Sequence, residues 1–460
     1  MTKIFAVGFA SVILCFLAEV IPSPSGRVAA KTTETIVDRT HDLLIEVENL
    51  RELNYNGDLQ VDLVTQDEIR KVIGRELDEQ ITPEMDRQFG DMYALLGLMP
   101  PGSSMRTSYE EMAQEQVAGL YDPTEKKFYV VDIDFDAAMN EILGQFGDLG
   151  GLAGGLIEGM GIDLSQSMSD AVIVHELTHA IDDQHFDLQS SMKRLQESNS
   201  DDEALAYQSL AEGDATRIMN TYAMQSLGLD SSMLAGLEGM QMSQAESMLD
   251  FDPFIERLTT APYFLGEAFV RFILDNQGET GLDRAFETPP VSMEQVMHPT
   301  RFFPFPDNPS IVGNPDLSAA LPEWNMEAED TLGELITALM FEMGLGDKEL
   351  ASSIADGWDG DRLTMWKSPQ NDLCMAWVSV WDSDSEAREF FNNYQNLVEA
   401  KYKRQGTWKT RNDHSAVYTG LGLAMGIEIS SNTVCIVEGV PESLCDTALR
   451  AAWNTPIEYI

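Results

Sequence analysis

One five-residue run constrains this chain more than any other: His175-Glu176-Leu177-Thr178-His179. Apolar residues flank it, Ala171-Val172-Ile173-Val174 before and Ala180-Ile181 after, so the segment reads as a buried helix. On a helix, residues four apart share a face, so both imidazoles can point at one ion. Glu176 lies beside them, where a carboxylate can take a proton from a metal-held water. Six histidines in 460 residues make a chance pairing at this spacing rare. A helix with two solvated histidines is the plain alternative. The flanks argue against it, because Thr178 is the only polar residue between the His-Glu pair and His179.

Two histidines do not hold a catalytic zinc, which takes three protein ligands and leaves a position for water. Two residues compete to be the third. Glu212 stands in Ala211-Glu212-Gly213-Asp214-Ala215, on the helix expected to follow the motif helix. A carboxylate in such an apolar stretch needs a partner if buried, and a metal is one. A solvated helix face is its alternative. His185 follows His175 at the spacing of the extended pattern H-E-x-x-H-x-x-G-x-x-H, but Asp182 stands where that pattern has its glycine. Aspartate reaches a left-handed turn less easily than glycine does. If the helix continues instead, His185 points about 80° away from His175. Asp182 then sits over the two histidines and can accept a ring N–H. These rules favour Glu212 and keep His185 as the alternative ligand.

The charge balance narrows the partners. With 77 acidic against 29 basic residues, the net charge is −48. That argues against nucleic acid and anionic membrane surfaces. It suits an extracellular or saline setting, where repulsion is screened, and solubility alone accounts for it as well. Asp359 and Asp361, or Asp382 and Asp384, could offer oxygens to calcium, but no complete calcium loop is present. Lys3, the apolar run from Ile4 to about Leu17, and Val28-Ala29-Ala30 predict a signal peptide over 1–30 and hence an exported protein. A membrane anchor is the alternative, but the run is short and Glu19 follows it. Cys374, Cys435 and Cys445 then remain. One disulfide is compatible with export, with Cys435 and Cys445 closest in sequence, but spacing does not decide the pairing.

Periodicity and breakers predict an α+β chain. A polar helical lead-in covers 31–56. A strand over Leu59–Val64 precedes a helix capped by Thr65, then a helix over Pro83–Leu98. Val117–Tyr121 and Lys127–Asp132 form a hairpin about Asp122-Pro123-Thr124-Glu125. Asp136–Gly161 reads as a mobile insert or short helices over the site. The motif helix spans Ser165–Asp187, the next Asp201–Met224, a methionine-rich one Ser231–Leu249, and another runs from Tyr263 to Gln277, ended by Gly278. A Pro-rich linker over 306–330 leads to a separate α/β unit over 331–460, where Gly357 to Arg362 reads as a tight turn.

His175-Glu176-x-x-His179 with the downstream Glu212 resembles the gluzincin group of zinc metallopeptidases. His-Glu-Leu-Thr-His-Ala, then Asp-Gln-His-Phe-Asp and Glu-Gly-Asp-Ala-Thr, resembles a group of secreted bacterial members, as does Pro289 to Gln295 with His298-Pro299. The resemblance covers about residues 57–305. It implies a zincin-like catalytic domain, a small sheet with the motif helix and the Glu-ligand helix, holding Zn2+ on His175, His179 and Glu212. It further implies an exported peptidase acting on peptide or protein substrates. Glu176 would serve as general base, taking a proton from the zinc-activated water and delivering it to the leaving amine. An oxyanion donor would come from His298, Tyr222, Tyr263 or Arg301, with His298 favoured. The strand Lys127–Asp132 would be the edge that pairs with an extended peptide. Thermolysin-like enzymes often carry an acidic residue four after the ligand glutamate; here Thr216 stands there, and Asp214 or Asp182 would have to bond the zinc histidine instead. A non-catalytic, zinc-stabilised binding protein is the competing class. It would have no need of Glu176.

Overall fold

The computed structural model describes residues 33–116, 119–131, 164–196, 200–227, 252–403, 405–420 and 422–460. The expected signal segment, the insert over Asp136–Gly161 and the helix over Ser231–Leu249 lie outside them. Among the described residues, no helix is long and apolar enough to cross a membrane.

Local sequence rules account for the start of the fold. Helix α1 (Thr33–Arg51) leads into strand β1 (Gln60–Val64). Thr65 then opens α2 (Gln66–Gln80): its side chain accepts the Glu68 amide while Glu68 reaches back to the Thr65 amide. Thr82 caps α3 (Pro83–Leu96), which ends on Gly97 in the left-handed conformation. After α4 (Met105–Gln116), β2 (Gly119–Asp122) and β3 (Lys127–Val131) form the expected hairpin. The small sheet has the order β1-β3-β2, with β1 parallel to β3. The expected edge strand is therefore wrong: Lys127–Val131 lies in the centre, and among the described residues β1 and β2 are the edges. The chain gains this order because β1 pairs with β3 across the intervening α2, α3, α4 and β2, a contact that hairpin rules do not supply.

Among the described residues, three long helices and a short one follow. They are α5 (Leu164–Phe186), which carries the histidine motif, α6 (Leu188–Gln196), α7 (Asp201–Leu227) and α8 (Pro253–Glu287). Helix α8 does not end at Gly278. That glycine takes φ 65° and ψ −171°, kinks the helix, and the chain resumes helical geometry to Glu287. Helix α7 packs against both α5 and α8, so it is the central element of this half.

A short helix α9 (Met293–Met297) and the turn Pro299–Arg301 lead to the two-residue strand β4 (Ile311–Val312) and then to a seven-stranded sheet. Its strands are β5 (Asn325–Asp330), β6 (Trp358–Lys367), β7 (Leu373–Trp381), β8 (Thr407–Arg411), β9 (Ser415–Gly420), β10 (Leu423–Ser430) and β11 (Thr433–Pro441), in the order β5-β6-β7-β11-β10-β9-β8. Helices α10 (Gly333–Leu345), α11 (Lys348–Ala355), α12 (Asp384–Lys401) and α13 (Cys445–Ala452) accompany it, and β12 (Ile457–Glu458) pairs with β4. Strand β5 falls inside the expected linker, because Asn325-Met326-Glu327-Ala328-Glu329-Asp330 is too acidic to read as a strand. The turn expected at Gly357–Arg362 is the start of β6. Asp361 there accepts both indole N–H groups of Trp358 and Trp377 and the amides of Leu332 and Gly333, which commits it to structure rather than to calcium. Cys374, Cys435 and Cys445 are all free and buried, with no Cys435–Cys445 disulfide. The chain is thus a mixed α and β protein. One continuous apolar cluster runs from Ile69 and Phe89 through Phe254 to Phe341, Trp377 and Ile436, so helical half and sheet share a core.

Candidate metal centre

Helix α5 presents the motif as the sequence requires. Thr178, its one internal polar residue, returns its hydroxyl to the Val174 carbonyl at 2.9 Å, so burial leaves it satisfied. His175 and His179 are both about 1% exposed and turn their Nε2 atoms toward each other, 3.2 Å apart. Glu212, one helix later on α7 and equally buried, places Oε2 3.1 Å from His175 Nε2 and 3.3 Å from His179 Nε2. Burial works to raise the Glu212 carboxyl, but the His179 and His175 rings outweigh it and hold it at about 2. Burial lowers His175. Three donor atoms from two helices therefore converge on one point, a group able to hold a metal ion.

Packing fixes the convergence. Helices α7 and α8 cross at Gly213 and Gly266, where a Cβ on Gly213 would lie 2.2 Å from the Gly266 carbonyl carbon. Only glycine permits that approach, and Gly213 is the residue after Glu212. From α8, Tyr263 stacks on His175, ring centres 5.9 Å apart and planes 22° apart. Glu176 is fully buried. Its Oε2 accepts the Tyr121 amide of β2 at 2.5 Å, while Oε1 has no hydrogen-bond partner among the described residues. Burial raises its carboxyl well above the usual range, against the pull of the Tyr121 amide.

One turn beyond His179, Asp182 meets a residue that sequence reasoning missed. Arg51, at the end of α1, is fully buried. Its Nε lies 3.1 Å from Asp182 and 2.6 Å from Asp214, and its Nη1 2.9 Å from Asp283 and 3.3 Å from Glu279. The rings of Phe186 and Phe286 flank it at 5.7 and 5.8 Å. Burial pushes Asp182 up against the pull of Arg51, whereas Arg51 and Arg217 hold Asp214 down against its own burial. Arg51 thus ties Asp182 of α5 to Asp214 of α7 and clamps the two ligand helices together. The expected lead-in helix is part of this core. Asp182 and Asp214 turn to Arg51, and the expected bond from either to His175 is not formed; His175 Nδ1 and Thr216 Oγ1 are buried without partners among the described residues. A charged residue at the end of a polar helix carries no sequence signal of burial, because its partners lie 131 or more positions away.

The remaining predicted residues separate. His185 stays on the continuing helix, exposed, and bonds the Asn54 carbonyl at 2.9 Å. His298 is brought not to the histidine pair but to Glu334, 2.9 Å away, in a second group with Asp356. Arg301 joins Glu294, Asp356 and Asp382. Tyr222 bonds Asp170 and Arg39. Of the four oxyanion candidates, Tyr263 is the one in ring contact with the motif.

A buried two-histidine, one-glutamate group in a mixed α and β protein defines a candidate metal protein, and comparison with known proteins adds little to that class. Residues 321–448 match a family described as a domain of unknown function (DUF8575), which takes in all the strands of the seven-stranded sheet and none of the histidine pair's site. No curated protein matches the chain. Among solved structures, the chain is similar to one from Chloroflexus aurantiacus, described as a candidate hydrolase with a novel fold. The two share 18% identity with a TM-score of 0.38, over 60% of this chain and 91% of that one. So slight a likeness carries no chemistry across.

Proposed function

We propose that the protein is an exported zinc-dependent peptidase of gluzincin type, with zinc on His175, His179 and Glu212. The supporting observation is the spacing of the three donor atoms, 3.1 to 3.3 Å from one another. Ligands at ~2.0–2.1 Å from a tetrahedral zinc stand about 3.3–3.4 Å apart, close to the spacing of these donors, which supports the reading. Bound zinc would supply Lewis acidity and a water of lowered pKa.

The residues' own tasks follow from their contacts. The Tyr121 amide holds Glu176 by Oε2 and leaves Oε1 to take up and return a proton. Tyr263 keeps the His175 ring in plane and brings a hydroxyl-bearing ring to the site. Arg51 keeps the two ligand helices in register through Asp182 and Asp214. An extended peptide would be the substrate that such a zinc centre cleaves. Residues 57–305, with α1 and its Arg51 docked on them, would form the catalytic unit and 331–460 an accessory one sharing its core, with residues 1–30 removed on export. Glu176→Gln tests the reading. The variant should keep its zinc and lose cleavage of casein or a broad peptide library by at least ~100-fold. Zinc-loaded wild type that cleaves nothing in such a library would favour the non-catalytic binding protein instead.

A further inference from the structure

The group around His298 has the makings of a second metal site, independent of the first. His298 follows α9, Glu334 lies in the first turn of α10, and Asp356 follows α11, so three separate elements contribute. Their donor atoms all lie within 4.8 Å of one another. His298 Nε2 stands 2.9 Å from Glu334 and 3.7 Å from Asp356. Two donors can share one ion when they are closer than twice the bond length, about 4.2 Å for imidazole and carboxylate on a first-row ion. Both distances fall inside that limit, and Asp356 is exposed, its other ion pair being with Arg301 at 3.4 Å.

The second observation is Glu334 itself. It is 1% exposed, and while Oε1 meets His298, Oε2 is buried with no hydrogen-bond partner among the described residues. An ionised carboxylate oxygen left so is costly, and a cation is the partner that removes the cost. The surrounding charge points the same way. Glu294, Glu334, Asp356 and Asp382 face one guanidinium, Arg301, and one imidazole. With the imidazole neutral, three negative charges remain, and a divalent ion reduces them to one. Buried Asp202 adds to the field beneath Glu334.

We propose that His298, Glu334 and Asp356 bind a divalent first-row cation at the junction of the helical half with the seven-stranded sheet. One imidazole and two carboxylates suit zinc or manganese, and the solvent-facing Asp356 leaves room for water ligands. A metal there joins α9 to α10 and α11, which begin 40 and 55 residues further along the chain.

Zinc titration of the metal-free full-length protein tests this, with chelator competition to rank affinities. Wild type should bind a second, weaker equivalent beyond the histidine-pair site. His298→Ala and Asp356→Asn should each weaken that equivalent by more than roughly tenfold and leave the tighter one in place. Asp356 is exposed, so its substitution should not endanger folding. Glu212→Ala should do the reverse, losing the tight equivalent and keeping the weak one, which separates failure of the peptidase site from failure of this one. A wild type with no second equivalent, or a second equivalent that survives both His298→Ala and Asp356→Asn, overturns the proposal.

Discussion

Gly213→Ala is the sharpest probe of how the fold places Glu212. A methyl group there would meet the Gly266 carbonyl carbon at 2.2 Å, its oxygen at 2.3 Å and the Glu267 nitrogen at 2.8 Å. Ordinary contact begins near 3.4 Å, so the closest approach falls short by roughly 1.2 Å. Every atom involved is backbone, and none can rotate away. Helices α7 and α8 must therefore part by about an ångström, which carries either Glu212 from the histidines or Tyr263 from His175. Overpacking of this kind costs about 1–3 kcal/mol, and at a backbone crossing the upper half applies. Alanine returns about 1 kcal/mol through helix propensity, leaving a net loss near 1–2 kcal/mol. The displaced carboxylate should lower zinc affinity by about 10–100-fold, as supporting contacts do at other sites. Gly266→Ala should behave alike, since its methyl would lie 1.9 Å from the Ser209 carbonyl oxygen. Gly74→Ala in α2 meets nothing within 4 Å and should stabilise slightly. The assays are urea denaturation and chelator-competed zinc binding. If Gly213→Ala matches Gly74→Ala in stability and binds zinc like wild type, the crossing does not position Glu212.

Three further outcomes are expected. Arg51→Met leaves Asp182 without its buried cation and Asp214 with Arg217 alone, and should cost about 3–5 kcal/mol in urea unfolding, with partial recovery when Asp182→Asn is added; a loss below about 1 kcal/mol contradicts the clamp. Burial raises buried Asp330 to about 7, so the folded state holds its proton longer than the unfolded chain does. Its stabilising contribution is whole below about pH 4 and disappears as pH rises through 7. Asp330→Asn should flatten that stretch of the stability profile, and an unchanged slope refutes the assignment. Cys374, Cys435 and Cys445, free and buried, should resist a thiol reagent in the native protein and react in denaturant; protection after denaturation would mean a disulfide.

What could be read in advance follows the reach of each interaction. The capping box at Thr65, the β2–β3 hairpin and the motif helix rest on residues a few positions apart, and each forms where local rules put it. Glu212 is recognisable as a carboxylate in an apolar stretch, although its partner lies 37 positions away. Arg51 is not recognisable, because nothing in a polar helix announces four acidic partners drawn from α5, α7 and α8. The centre of the small sheet and the start of β6 are missed for the same reason. Parallel pairing of β1 with β3 and the pairing of Asp361 with two indoles exist only once the chain has closed. His298 reads as a lone histidine until Glu334 arrives from 36 positions on.

A zinc held by two histidines and a glutamate is tested most directly by the tightly held zinc content of the wild type beside Glu212→Ala and His185→Ala, after dialysis against a weak chelator. Glu212→Ala should lose that zinc while His185→Ala retains it. Retention by Glu212→Ala, or loss by His185→Ala, would mean that Glu212 is not the third ligand.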